Sequence, residues 1–202
     1  MLGKWILAAV AALLAVSNVS AGDAEHPLRN ARPGDWVKYD MVDTLSDEDP
    51  GTTLIEVLAN NDGMAKIRIT QTEPRMPEPA IEEKTVDLSA LSKPYTLAFL
   101  FPSPPANDRI GIGIRKGKTT EATVEVAGQQ YDCVYTSYTV SAVTTFPLKE
   151  WTSPDVPVTG LVQAEMTLTS PMARMTLVVT LAASGDAANP PPAAPVRRAG
   201  SD

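Results

Sequence analysis

The sequence predicts a mainly β protein built on antiparallel pairing, and three observations carry that reading. Most stretches between turn residues alternate apolar and polar side chains with a period of two, as strands do when their two faces meet different surroundings. The breaks between these stretches hold residues that tolerate left-handed or kinked backbone, above all Asn60-Asn61-Asp62-Gly63 and Ala127-Gly128. Helical periodicity is nearly absent from the body of the chain, where only a short turn at residues 89–93 fits it.

The 202 residues divide into four parts. Lys4, the apolar run at 5–16 and Val19-Ser20-Ala21 read as a signal peptide over residues 1–21, cleaved before Gly22, with an uncleaved anchor as the alternative. The mature protein is therefore expected in the periplasm or secreted. Residues 22–33 form a polar lead-in, in which His26-Pro27 and Arg32-Pro33 disfavour a helix. Its lone histidine is read as solvent-facing or capping. Residues 34–183 are the antiparallel β domain, and residues 184–202, GDAANPPPAAPVRRAGSD after Ser184, are a Pro/Ala-rich tail with too little apolar content to pack, expected to be disordered.

Within the domain, Gly34-Asp35 opens a strand at 36–42, with Val37, Tyr39 and Met41 on one face and Lys38 and Asp40 on the other. Residues 52–59 and 64–71 form a hairpin that lets Ile55 and Val57 meet Ile67 and Ile69, with Glu56 across from Lys66 and Arg68. Pro74, Pro77 and Pro79 stiffen the connection to a polar edge strand at 81–88. The apolar run at 96–101 reads as a buried strand, with an apolar flap as the alternative. Residues 109–114, 120–126 and 129–140 give further strands, and Gly111 and Gly113 read as points of curvature or close approach. Residues 146–152, 161–169 and 172–181 complete the set. The link Ser153-Pro154-Asp155-Val156-Pro157, with Gly160 free to take a positive φ, is a rigid connection or a partner-contacting loop.

Composition closes several routes to function. A net charge of −7 with dispersed acids disfavours nucleic acid as a partner. Cys133, the single cysteine, cannot form an intramolecular disulfide and reads as a small buried hydrophobe. With one histidine in the lead-in there is no evident base for a nucleophile, so no catalytic residues are assigned and no enzymatic activity is expected. Asp47-Glu48-Asp49 lacks the alternate spacing of a calcium loop, and no metal site is assigned. Gly111-Ile112-Gly113 and Gly117-Lys118-Thr119 are fragments of nucleotide loops without the remaining residues, so no cofactor is expected.

Three stretches carry a family resemblance: Gly34-Asp35-Trp36-Val37-Lys38-Tyr39, Val126-Ala127-Gly128-Gln129-Gln130-Tyr131-Asp132-Cys133, and Trp151-Thr152-Ser153-Pro154-Asp155-Val156-Pro157 with Gly160-Leu161-Val162. Their order resembles that of exported bacterial proteins of the LolA/LolB-like lipoprotein carrier superfamily. The resemblance implies a single strongly curved antiparallel sheet, an unclosed or half barrel around an apolar cavity. A β-sandwich or a closed up-and-down barrel is the alternative. It implies a non-enzymatic exported binding protein that shelters an apolar ligand, lipid or acyl, or a protein segment in the concave face. Possible partners are then a lipid or lipoprotein, or an envelope protein. The competing reading is a structural or envelope-associated interaction module acting through edge strands, the 153–157 loop or the tail. Trp36, Leu97, Phe99, Phe101 and Trp151 are the candidate ligand-binding residues, as large apolar side chains able to line such a face.

Overall fold

The computed structural model describes residues 26–45, 49–74, 76, 78–89, 91, 94–99, 113–141, 144–169 and 174–192. The expected signal peptide, residues 46–48, Phe101, the Pro-rich run after it, Gly111 and the tail beyond 192 lie outside them.

Nine strands follow in chain order: β1 (Trp36–Asp43), β2 (Gly51–Asn61), β3 (Met64–Thr72), β4 (Ala80–Asp87), β5 (Gly113–Val126), β6 (Gln129–Ser141), β7 (Thr145–Thr152), β8 (Leu161–Thr169) and β9 (Arg174–Gly185). Among the described residues one short helix, α1 (Tyr95–Phe99), lies between β4 and β5. All nine strands belong to one antiparallel sheet, in the order β4-β3-β2-β1-β9-β8-β7-β6-β5. Two meanders thus meet where β1 pairs with β9, and the sheet remains open at β4 and β5. This excludes both the sandwich and the closed barrel.

The hairpin at Asp62-Gly63 pairs as its sequence dictates. Ile55 faces Ile69, Val57 faces Ile67, and Glu56 faces Arg68, which in turn faces Glu83. Glu83 takes ion pairs from Lys66 at 2.6 Å and Arg68 at 2.9 Å on the solvated face. The opposite face is the core: Val37, Tyr39, Ile55, Val57, Ile67, Leu148, Ala164, Met166 and Val179 are all buried.

A single sheet buries an apolar face only by curving over it. β5 touches β9, four places away in the sheet, and a groove of about 210 Å³ separates Val126 and Tyr131 from Leu181 and Ser184. Bulges at Lys38/Tyr39, Val57/Ala59, Lys116/Thr119 and Trp151/Thr152 supply local bends. In β6 the buried phase changes: Tyr131 and Cys133 are buried on one side, then Thr136, Tyr138 and Val140 on the other. The change falls where β7 ends, at Thr152 opposite Val134. Beyond that point β5 and β6 form a two-stranded ribbon, which twists more strongly than a wide sheet.

Three expectations need correction. From Gly113 onward the strands expected separately at 109–114 and 120–126 run as one 14-residue strand, β5, because Gly117 and Lys118 form a bulge opposite Ser137, while residues 109–112 lie outside the described residues. A Cβ on Gly117 would lie 2.6 Å from Ser137 Oγ, which accepts the Lys118 N–H at 2.9 Å. The tail expected to be free from residue 184 stays packed through Asn189. Asp186 Oδ1 caps a turn by accepting the N–H groups of Ala188 and Asn189, and Asn189 O accepts the Trp36 indole at 2.6 Å. The run at 96–101 holds α1 rather than a core strand: Pro94 suits a first turn, and Leu97 and Ala98 favour helix.

Both edges are guarded. β4 turns Glu82 and Lys84 toward the core side, in phase with Val86. β5 carries a bulge amid Arg115, Lys116 and Lys118. Inward charges, bulges and edge lysines all oppose pairing with another chain.

Candidate functional site

The inner face of the sheet is occupied by the chain itself. Two short segments lie over it, the lead-in around His26 and the helix α1.

His26 precedes a 3₁₀ turn at Pro27–Arg29 and accepts the Leu28 N–H at Nδ1, 3.0 Å away. Pro27 suits the first turn, since it has no amide donor to satisfy. Leu28 is fully buried, and Asn60 Nδ2 fastens the turn by donating to Leu28 O at 2.9 Å and Ala31 O at 2.8 Å. The capping half of the histidine expectation holds. The solvent-facing half does not: the imidazole is buried, edge-on to Tyr95 at 4.2 Å and tilted against Phe99 at 5.5 Å.

α1 sits on this same side, against β8, and is tied to β7. Thr96 N donates to Glu150 Oε1 at 2.6 Å. Glu150 is 0% exposed and lies between Thr136 and Ala164 in the sheet. Phe99 is 1% exposed and Tyr95 is buried, so the apolar side of α1 is spent on the core. The Thr96 hydroxyl is buried as well and has no hydrogen-bond partner among the described residues. Nearby, Tyr39 Oη donates to Leu161 O at 2.9 Å and bonds to Thr159 Oγ1, which accepts the Leu161 N–H. Burial raises the Tyr39 phenol above its ordinary range, the Thr159 bond opposes this in part, and the Glu150 charge adds to it.

Of the five sequence candidates, the three whose side chains are described, Trp36, Phe99 and Trp151, do not converge. Phe99 faces the seat beneath α1. Leu97 falls within α1, and Phe101 lies outside the described residues. Trp36 is buried on the other side of β1 from Val37 and Tyr39, under the Asp186 turn. Trp151 shares a face with Lys149, opposite Leu148 and Glu150, and leans on Tyr135 at 5.1 Å. The sheet therefore stands between Phe99 and both tryptophans.

The contacts that hold α1 in its seat run instead from Thr96 to Glu150 and from Tyr95 to His26. A signal for Glu150 was present: it is a carboxylate in phase with Leu148 and Thr152 on a face otherwise apolar. The 153–160 link is not a protruding loop, since Val156 and Val158 are fully buried. Val158 holds φ 64, a strained setting for a β-branched residue, and Gly160 follows at φ 69 with Pro27 against it. Cys133 is buried, and burial first, then Asp132, pushes its thiol up to about 11, which leaves it a poor nucleophile at neutral pH. Outside the core lies a cleft of about 510 Å³, lined by polar groups including Arg29, Asn60, Asp62 and Ser89.

Comparison with known proteins adds little to this geometry. No protein-family model matches the chain, and no curated protein sequence matches it. A crystal structure of a Bacteroides fragilis protein with a YmcC-like fold, inferred to be exported, aligns with a TM-score of 0.47 at 9% identity. The alignment covers 81% of this chain and 100% of that one.

Proposed function

We propose that this is a non-enzymatic binding protein, exported to the periplasm or beyond the cell, whose open sheet shelters an apolar ligand or a protein segment on its inner face. The observation that carries this reading is the occupancy of that face by α1. A five-residue segment of the chain sits where a carrier would hold its cargo, joined to the sheet by the Thr96–Glu150 bond and two buried rings. In this reading α1 is the occupant of the unloaded state, and an apolar molecule takes its place. The guarded edges and the buried 153–160 link weigh against the competing reading of an interaction module.

The test uses the full chain and N-phenyl-1-naphthylamine, a neutral probe that fluoresces in apolar surroundings. Saturable uptake, together with an apolar molecule co-purifying in native mass spectrometry, supports the proposal. Absence of both overturns it.

A further inference from the structure

We infer that His26 makes the cover over the inner face sensitive to pH: when its imidazole takes up a proton, the turn at Pro27–Arg29 loosens and α1 loses the ring it packs against. Nδ1 accepts the Leu28 N–H at 3.0 Å, so that nitrogen holds a lone pair and the ring in this arrangement is neutral, with its hydrogen on Nε2. A second proton has only Nδ1 to go to. There it points at the Leu28 N–H, donor against donor, and the cap is lost whatever Nε2 bonds to.

The second observation is where the ring sits. His26 is buried, edge-on to Tyr95 at 4.2 Å and tilted against Phe99 at 5.5 Å, so the cap of one covering segment is the packing surface of the other. A ring that turns to shed the clash at Leu28 leaves both aromatic rings of α1 as well. Among the described residues, the titratable and charged groups on the elements around it are Arg29 on its own turn, Tyr95 on α1, Glu150 on β7 and Tyr39 on β1. Charge on these groups moves the pH at which the ring protonates, but the Leu28 N–H has no described acceptor besides Nδ1. An imidazole in the unfolded chain takes its proton near pH ~6.5, so below that range the unfolded chain binds the proton that the capped ring refuses. The contribution of the cap is therefore whole above that range and is lost as pH falls below it. The consequence for loading rests on the function proposed above, because lifting α1 uncovers the face where the apolar molecule would sit.

The experiment follows amide exchange on the full chain at about pH 7.5 and about pH 5, either side of the imidazole range, with the amides of β2 and β8 as internal reference for the chemistry of exchange. Exchange at residues 28–31 and 95–99 is expected to accelerate at least about fivefold relative to those strands, the scale of losing one N-cap. His26 is the single histidine, so its ring proton can be followed by NMR in the same samples, and the midpoint of its titration should coincide with that of exchange. The variant His26→Asn supplies an oxygen that caps without titrating, and its exchange should stay level across the range. Wild-type exchange that ignores pH, or that responds equally in His26→Asn, overturns the inference. A ring that titrates while exchange stays constant does so too, even if the variant fails to fold. Uptake of N-phenyl-1-naphthylamine, measured alongside, answers the separate question: faster exchange in acid with no uptake at either pH upholds the switch and counts against the binding function.

Discussion

Truncating Phe99 to alanine separates a helix that is part of the permanent core from one that can be displaced. The seating of α1 is close to balanced. Burying Phe99 and Tyr95 contributes about 1.5–3 kcal/mol each, and a hydrogen bond to a charged group such as Thr96 N to Glu150 adds about 1.5–3. Against this, ordering five residues costs about 1–2 kcal/mol apiece, and the unpartnered Thr96 hydroxyl costs about 1–3 more. The two sides cancel to within a few kcal/mol. Removing the Phe99 ring then subtracts about 1.5–3 kcal/mol from the seated state, shifting the equilibrium toward the open state by roughly 10- to 150-fold. A ligand that binds only the open state gains apparent affinity as the open fraction rises. Phe99→Ala is therefore expected to bind N-phenyl-1-naphthylamine more tightly than wild type, by up to about twofold where the two states start equally populated, the reciprocal of the open fraction setting the ceiling. Amide exchange at residues 95–99 should accelerate while the strands keep their protection. An affinity that stays level or falls, in a variant with native circular dichroism, refutes the argument that α1 competes with ligand.

Three further outcomes test the fold that holds this seat. Gly185→Ala places a methyl 2.8 Å from both the Trp36 ring and Asn189 O, so overpacking should cost about 1–3 kcal/mol and expose the chain after 185 to protease; an unchanged Tm contradicts it. Asn60→Ala leaves the Leu28 and Ala31 carbonyls without their shared donor and should destabilise by about 1–3 kcal/mol, with faster exchange at residues 28–31; unaltered exchange there would mean the lead-in is held by other contacts. The Cys133 thiol, raised from 9.0 to about 11 by burial first, stays neutral in the folded chain while the unfolded chain ionises. Its contribution is thus complete below pH about 9 and is lost as pH climbs toward about 11. The Tm advantage of wild type over Cys133→Ala should narrow across that window, and a constant gap would show that the thiol does not ionise differently in the two states.

What was legible in the sequence was whatever a period of two and a turn can specify. The pairs Ile55/Ile69 and Val57/Ile67 follow from Asp62-Gly63 and alternation alone, because a hairpin fixes its own register. Where a second rule intervened the pattern misled. Gly117 and Lys118 spend one extra residue on a bulge, so alternation breaks in the middle of β5 and one strand reads as two. At Trp36 and Trp151 the difficulty is different: large aromatic residues suggested a cavity lining, yet alternation already set each opposite the core-facing residues beside it, Val37 and Glu150.

The seat itself was half legible, and the missing half explains why. Leu148, Glu150 and Thr152 share a face, and the neighbours of that face are apolar, so a carboxylate is committed to the interior and needs a donor there. The pattern could pose that demand but not meet it. One donor is the N–H of Thr96, 54 residues earlier, in a segment whose composition read as a buried strand with a flap as the alternative. Only the curvature of the sheet brings the two together, and the same curvature places Phe99 and His26 beside them. The residue that breaks the apolar pattern of β7 is thus the one that ties α1 to the sheet.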